Sequence, residues 1–229
     1  NRTRFNRVRF AVDENYRGGS DFDTHLSLWG MEGIDFVQCT WENLQPNMVE
    51  SADLGHGITS GESSFRIRAG CSTIVGLGEP CPQAYVEESV FRNLDHGIHA
   101  ENGNALSFSV DQARFENNVC GVYTNMVNWF SVTRSEFTMA ERIIPLSGNE
   151  DQEFFSRHRG IYSYESHGFI LEDNNLLPDD NPIQGLETEG IVVGYNRDFN
   201  DAIRANTASG LTFGFVGEGI CSDVDNGGL

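Results

Sequence analysis

The chain has 229 residues, 38% hydrophobic and 21% charged, with 25 glycines and 16 phenylalanines. It is too apolar and too aromatic for a disordered chain, and no apolar run reaches the roughly 20 residues that cross a bilayer. A formal net charge of −19 offers no basic face for nucleic acid. All 15 basic residues are arginines, so Schiff-base chemistry and a lysine general base lack their group. So acidic a surface suits a saline habitat, where salt screens its self-repulsion.

Two patterns alternate along the chain. The first sets an apolar residue, another two places on and a third seven places after the first: Ile34/Phe36/Trp41, Ala84/Val86/Phe91, Phe108/Val110/Phe115, Phe130/Val132/Phe137 and Phe169/Leu171/Leu176. Asn43, Asn93 and Asn117 follow two residues after three of these. The second sets Gly, then Ile or Val, then any residue, then a small or β-branched one, beginning at Gly57, Gly97, Gly121, Gly160, Gly190 and Gly219. Phe65-Arg66-Ile67-Arg68 alternates as a strand does, with Phe65, Ile67 and Ala69 inward, and reads as an intermediate copy of the first pattern between Ile34 and Ala84. Polar excursions interrupt the register at residues 147–159 and 178–186. None of the five cysteines (Cys39, Cys71, Cys81, Cys120, Cys221) has the CxxC spacing of a zinc or redox site. Cys71 and Cys81 bracket a loop containing Gly and Pro that a disulfide would clamp; the alternative is that all five are small buried hydrophobes.

A repeat of 22 to 24 residues with period-2 alternation and no sustained 3.6 period excludes a helical solenoid. It predicts a parallel β-solenoid of three short strands per turn, with about nine or ten turns stacked about 4.8 Å apart. Trp41, Phe91, Phe115 and Phe137 then form one inward line, and Ile58, Ile98, Val122 and Ile161 another. The glycine before Ile is assigned to a tight corner, where a side chain would clash or φ must be positive. Asn93 and Asn117 are assigned to an asparagine ladder.

In Gly33-Ile34-Asp35-Phe36 through Trp41-Glu42-Asn43, in Ser107 to Phe115 and in Trp129 to Phe137, the chain resembles right-handed parallel β-helices of the pectin-lyase-like type. More narrowly, it resembles the repeat regions of large secreted Bacteroidota proteins that precede a type IX secretion signal, a likeness that extends from Gly210-Leu211 to Gly227-Gly228-Leu229. The resemblance implies an all-β fold, a right-handed parallel β-helix over residues 1–229, and a secreted, cell-surface or extracellular location. It carries no catalytic site with it. Asn1 in place of Met and the Gly-Gly-Leu end read as cuts through a longer polypeptide, so the single domain is read as a fragment.

Gly55-His56-Gly57 with Arg66-Ile67-Arg68 resembles the Gly-His-Gly and Arg-Ile-Lys of polygalacturonases. Here Asp53 stands alone where hydrolysis requires carboxylates on both sides of the bond, Arg68 replaces Lys, and the spacing is short. Asp95, His96, His99 and Glu101 gather around one corner, with Glu87-Glu88 nearby in sequence. Arg92, Arg114 and Arg134 recur one turn apart, followed by Glu116 and Glu136; they read as a stripe of exposed ion pairs or as a holder for an acidic sugar. Asp223-Val224-Asp225-Asn226-Gly227 begins like a calcium loop but has no closing Glu, and Asp179-Asp180-Asn181 is as unspecific. Gly214 to Gly217 with Gly219 is no phosphate loop. Tyr123, Trp129, Tyr162 and Tyr164 suit either sugar stacking or corner packing. No catalytic, cofactor-binding or metal-ligating residue is assigned, and no cofactor, calcium being the one ion left open.

The expected function is a non-catalytic structural or adhesive module of a large cell-surface protein, self-assembling into a fibre or appendage. The alternative is an extracellular lyase or glycoside hydrolase acting on acidic polysaccharide. Expected partners are further copies, neighbouring domains of the same chain, or a polysaccharide or other cell-surface ligand, with no nucleic acid and no membrane span.

Overall fold

A computed structural model describes residues 2–13, 22–44, 54–73, 80–103, 106–139, 157–178, 187–196 and 200–219. Among the described residues the chain runs through three strands per circuit and completes seven circuits. The first sheet holds Thr3–Asn6, Ile34–Val37, Phe65–Arg68, Ser109–Asp111, Ser131–Thr133, Ile170–Glu172 and Ala202–Arg204. The second holds Arg9–Val12, Thr40–Asn43, Ser89–Arg92, Ala113–Asn118, Glu136–Met139, Asn175–Pro178 and Thr207–Ala208. The third holds Thr24–Trp29, His56–Gly61, His96–Glu101, Cys120–Asn125, Arg157–Tyr164, Glu187–Gly194 and Phe213–Glu218. Neighbours within each of these sheets are parallel, so equivalent residues stack on one another. The chain is a parallel β-helix.

The core is a set of columns. Phe36, Ile67, Val110, Val132 and Leu171 align behind the first sheet, Trp41, Phe91, Phe115, Phe137 and Leu176 behind the second, and Ile58, Ile98, Val122, Ile161 and Ile191 behind the third. All are buried. Both inward lines read from the sequence are therefore present.

Two assignments need correction. Ala84 and Val86 do not enter the first sheet: Gln83–Tyr85 is a 3-10 turn, and Val86–Glu87 pairs antiparallel with Gly70–Cys71. This excursion sits at a corner of the third turn and is closed by the Cys71–Cys81 disulfide. Phe65–Arg68 is the first-sheet strand of the same turn that carries Phe91, not an extra turn. The expected repeat length describes uninterrupted turns, as between the stacked Phe91, Phe115 and Phe137. Elsewhere the paired residues Thr3, Ile34 and Phe65, or Ser131 and Ile170, lie more than 30 apart in sequence. The inserted residues explain why the described chain makes seven turns rather than nine or ten.

The glycine pattern has a different cause from positive φ. A Cβ on Gly57, Gly97, Gly121, Gly160 or Gly190 would lie 2.4–2.7 Å from the carbonyl oxygen of the glycine in the next turn, and none of these residues has positive φ. They are glycine because adjacent turns approach too closely for a side chain. Among the described residues the column reaches Gly214, which stands opposite Gly190, so the copy in this turn begins at Gly214. Gly219, at φ 68, belongs to the bend that follows; Ile220, Cys221 and Ser222 lie outside the described residues.

The asparagine ladder is present: Asn117 Nδ2 donates to Asn93 Oδ1 at 2.6 Å and Asn93 Nδ2 to the Asn43 carbonyl at 3.1 Å, with Asn93 and Asn117 left-handed at φ 58 and 56. A second ladder joins Ser135, Asn174 and Asn206, where Asn174 Nδ2 donates to Asn206 Oδ1 at 2.9 Å and Asn174 Oδ1 accepts from the Ser135 amide at 3.0 Å. Six single left-handed residues (Arg7, Gln38, Gln112, Arg134, Asp173 and Ala205) bend the first sheet into the second.

Candidate functional site

The third sheet alternates inward aliphatics with outward side chains that carry chemistry. Its register stacks His56, His96, Cys120, Arg159 and Glu189 in one outward column, and Thr59, His99, Tyr123, Tyr162 and Val192 in the next. Rings meet both between adjacent turns and along one strand. Centroids of His99 and Tyr123 are 4.8 Å apart, Tyr123 and Tyr162 5.5 Å, Tyr162 and Tyr164 6.4 Å, and Tyr164 and Tyr195 5.4 Å. Along this strip runs a groove of about 400 Å³ lined by Asp95, Glu101, Tyr123, Arg157, Arg159 and Tyr164, among others.

One end of the groove is a histidine cluster. His56, His96 and His99 have ring centroids 4.9, 4.8 and 5.0 Å apart. Asp95 Oδ2 lies 2.8 Å from His96 Nδ1 and 3.4 Å from His56 Nε2. Glu101 Oε1 lies 3.0 Å from His99 Nε2. Burial, aided by the neighbouring His96, lowers the His99 pKa against the opposing pull of Glu101 and keeps the ring neutral at pH 7.

The other end is held by ions. Arg159 Nε lies 2.7 Å from Glu189 Oε2, with both side chains buried, and its guanidinium sits 4.3 Å over the Tyr162 ring. Tyr162 donates from its hydroxyl to Glu218 Oε2 at 3.1 Å. Burial and this carboxylate push the Tyr162 phenol well above its ordinary range. Burial pushes the Cys120 thiol up to about 12, so it is no nucleophile at neutral pH.

The other sequence candidates separate. His56 lies on the third sheet, beside Asp95 of the bend before His96, while Arg66 and Arg68 lie on the first, where Arg68 Nε is 3.1 Å from Asp35 Oδ1; the polygalacturonase-like grouping does not form. The arginines make no single stripe, because Arg114 stands opposite Val90, and Arg92 opposite Glu116. They form ion pairs instead: Arg92 with Glu116 at 2.6 Å, Arg114 with Glu88 at 3.0 Å, and Arg134 with Asp111 at 2.6 Å. Glu87 accepts from Gln38 at 2.8 Å, away from the histidines. Trp129 is exposed on the far side, against a first-sheet hollow of about 250 Å³. Asp53, Asp179-Asp180-Asn181, Asp223 to Gly227, residues 147–156 and residues 179–186 lie outside the described residues. Sequence reasoning gathered Asp95, His96, His99 and Glu101 but left His56 out. The signal was available, since both strands read His-Gly-Ile, at 56–58 and 96–98.

Neither the family models, nor the curated proteins, nor the solved structures offer a match to this chain.

Proposed function

We propose that this chain is a non-catalytic adhesive module of a secreted cell-surface protein, and that it grips an extended neutral glycan along the outer face of its third sheet. The observation that carries the reading is the unbroken run of ring contacts from His99 to Tyr195 beside an open groove. Sugar rings present apolar faces that stack on aromatic side chains, and a rigid row of such rings binds an extended chain at little entropic cost. Charge selects against an acidic chain: Arg157 and Arg159 are already paired with Glu187 and Glu189, and Asp95 and Glu101 add to the negative side. Those same commitments argue against a lyase or hydrolase. Asp95 is shared by two histidines and Glu101 is held by a third, so the groove offers no free pair of carboxylates of the kind glycoside hydrolysis uses. The Cys71–Cys81 disulfide supports an oxidising, extracytoplasmic location, in keeping with the type IX kind of secreted protein the sequence resembles.

Affinity electrophoresis in gels carrying neutral glycans or uronate polymers tests this. At least one neutral glycan should retard the protein, and Tyr123→Ala with Tyr164→Ala should weaken that binding about tenfold or more. No new reducing or unsaturated ends should form on long incubation. Release of such ends, or retardation by uronate polymers alone, overturns the reading.

A further inference from the structure

We propose that His56, His96 and His99 form a site for one divalent transition-metal ion, of the class that zinc represents. One ring nitrogen from each histidine lies within 4.8 Å of the other two. Each ring also has its second nitrogen secured. His56 Nδ1 is 3.2 Å from Thr59 Oγ1, His96 Nδ1 is 2.8 Å from Asp95 Oδ2, and His99 Nε2 is 3.0 Å from Glu101 Oε1. That leaves His96 Nε2 and His99 Nδ1 as donors, and His56 Nε2 joins them by exchanging its 3.4 Å contact with Asp95 Oδ2 for the ion. Outer carboxylates and hydroxyls that hold one nitrogen of a histidine while the other binds metal are the usual support of imidazole sites.

His99 Nδ1 supplies the second, independent observation. It is buried and has no hydrogen-bond partner. A buried imidazole nitrogen left without a partner is costly, and a metal ion satisfies it without needing a further donor from the protein. Tetrahedral zinc holds imidazole nitrogens at about 2.0–2.1 Å, about 3.3 Å from one another. Drawing three nitrogens from within 4.8 Å to that spacing moves each by about 1 Å at most, within the reach of side-chain rotation. Three nitrogen donors favour zinc, copper or nickel over calcium, which requires oxygen ligands. They also leave a fourth position for water or a ligand oxygen. The site comes from two adjacent turns, so it exists only in the folded register that stacks His56 on His96. It does not depend on what the tyrosine strip grips.

The test uses untagged protein, stripped of metal and titrated calorimetrically with zinc(II) alone. One ion should bind per chain with a dissociation constant below about 1 μM. His99→Ala and His56→Ala should each weaken binding by at least about 100-fold, Asp95→Asn by about 10–100-fold, and His167→Asn should leave it unchanged. Cobalt(II) added to the wild-type chain gives a readout independent of any variant's folding. Intense visible bands of four-coordinate cobalt support the site; the pale spectrum of six-coordinate cobalt overturns it. Absence of stoichiometric zinc binding, or equal binding by folded His99→Ala, also overturns it.

Discussion

The indole of Trp41 and the ring of Phe91 lie on adjacent turns with centroids 4.4 Å apart and planes 1° from parallel. Phe115 and Phe137 extend the column at 4.8 and 4.6 Å. Parallel in-register strands impose this spacing, since each turn sits one strand separation above the last. Phe91→Ala should therefore cost about 3–5 kcal/mol, because the column cannot collapse without breaking the register on both sides. Phe10→Ala, at the partly buried end of the column, should cost less. Urea unfolding followed by Trp41 fluorescence checks the order, as Trp41 is fully buried while Trp29 and Trp129 are 63% and 60% exposed. Equal costs would show that the column is not the source of stability.

The glycine column makes a sharper claim. A methyl group on Gly97 would sit 2.6 Å from the Gly121 carbonyl oxygen, whereas on Gly214 its nearest neighbour would be Ala208 Cβ at 3.2 Å. Gly97→Ala should push two turns apart and cost about 1–3 kcal/mol, toward the upper end because the clash is with backbone. Gly214→Ala should be tolerated within about 1 kcal/mol. Thermal melts of the two variants decide it. If the glycines served only conformational freedom, the two substitutions would behave alike.

The columns were legible because stacking repeats the same chemistry at the same place in each turn. Trp41, Phe91, Phe115 and Phe137 announce their line, and so do Ile58, Ile98, Val122 and Ile161. What hid was whatever depends on inserted residues. Ala84 and Val86 match the apolar spacing by accident, inside an excursion whose own antiparallel pairing leaves no trace of period. The second ladder escaped because its members differ, with Ser135 standing where later turns have Asn174 and Asn206. The histidine cluster was legible only by aligning the two His-Gly-Ile segments, 56–58 and 96–98, as stacked copies. His56 and His96 are 40 residues apart in sequence and one strand apart in space.

Acid should destabilise the fold in two steps. His25 takes the ladder-glycine position of the first turn, between the pairs Thr24–His56 and Leu26–Ile58, and burial lowers its pKa to about 4. Between 6.5 and about 4 the unfolded chain carries a proton on this residue that the folded chain does not, so stability falls as pH drops through that window. The loss is on the order of 2–3 kcal/mol. Asp35, held below its ordinary pKa by hydrogen bonds from Arg68, contributes stability above its unfolded value that is lost further down, as pH falls through its folded value. Urea midpoints for the wild type and His25→Gln from pH 7.5 to 4 isolate the first step. The variant should lose most of the slope between 6.5 and 4, the remainder belonging to His99, whose pKa burial also lowers; an unchanged slope would assign it elsewhere.

The buried pair Arg159–Glu189 links stability to the aromatic strip. Its side chains are 7% and 1% exposed, so removing one partner leaves a buried charge with only a longer contact, Glu189 with Arg157 at 3.3 Å or Arg159 with Glu218 at 3.8 Å. Glu189→Gln and Arg159→Met should each cost about 3–5 kcal/mol, while the double variant Arg159→Met/Glu189→Met should recover much of that loss, because two apolar side chains leave no charge of the pair unmatched. The recovery is read from a double-mutant cycle in denaturant. Glycan binding should not recover with it. Arg159 lies over the Tyr162 ring, and a methionine in its place lacks the planar cation that holds that ring between Tyr123 and Tyr164. A double variant that regains stability yet binds glycan about tenfold more weakly separates the two roles. Full return of binding would reduce Arg159 to a packing residue and leave the tyrosines alone as the determinants of the strip.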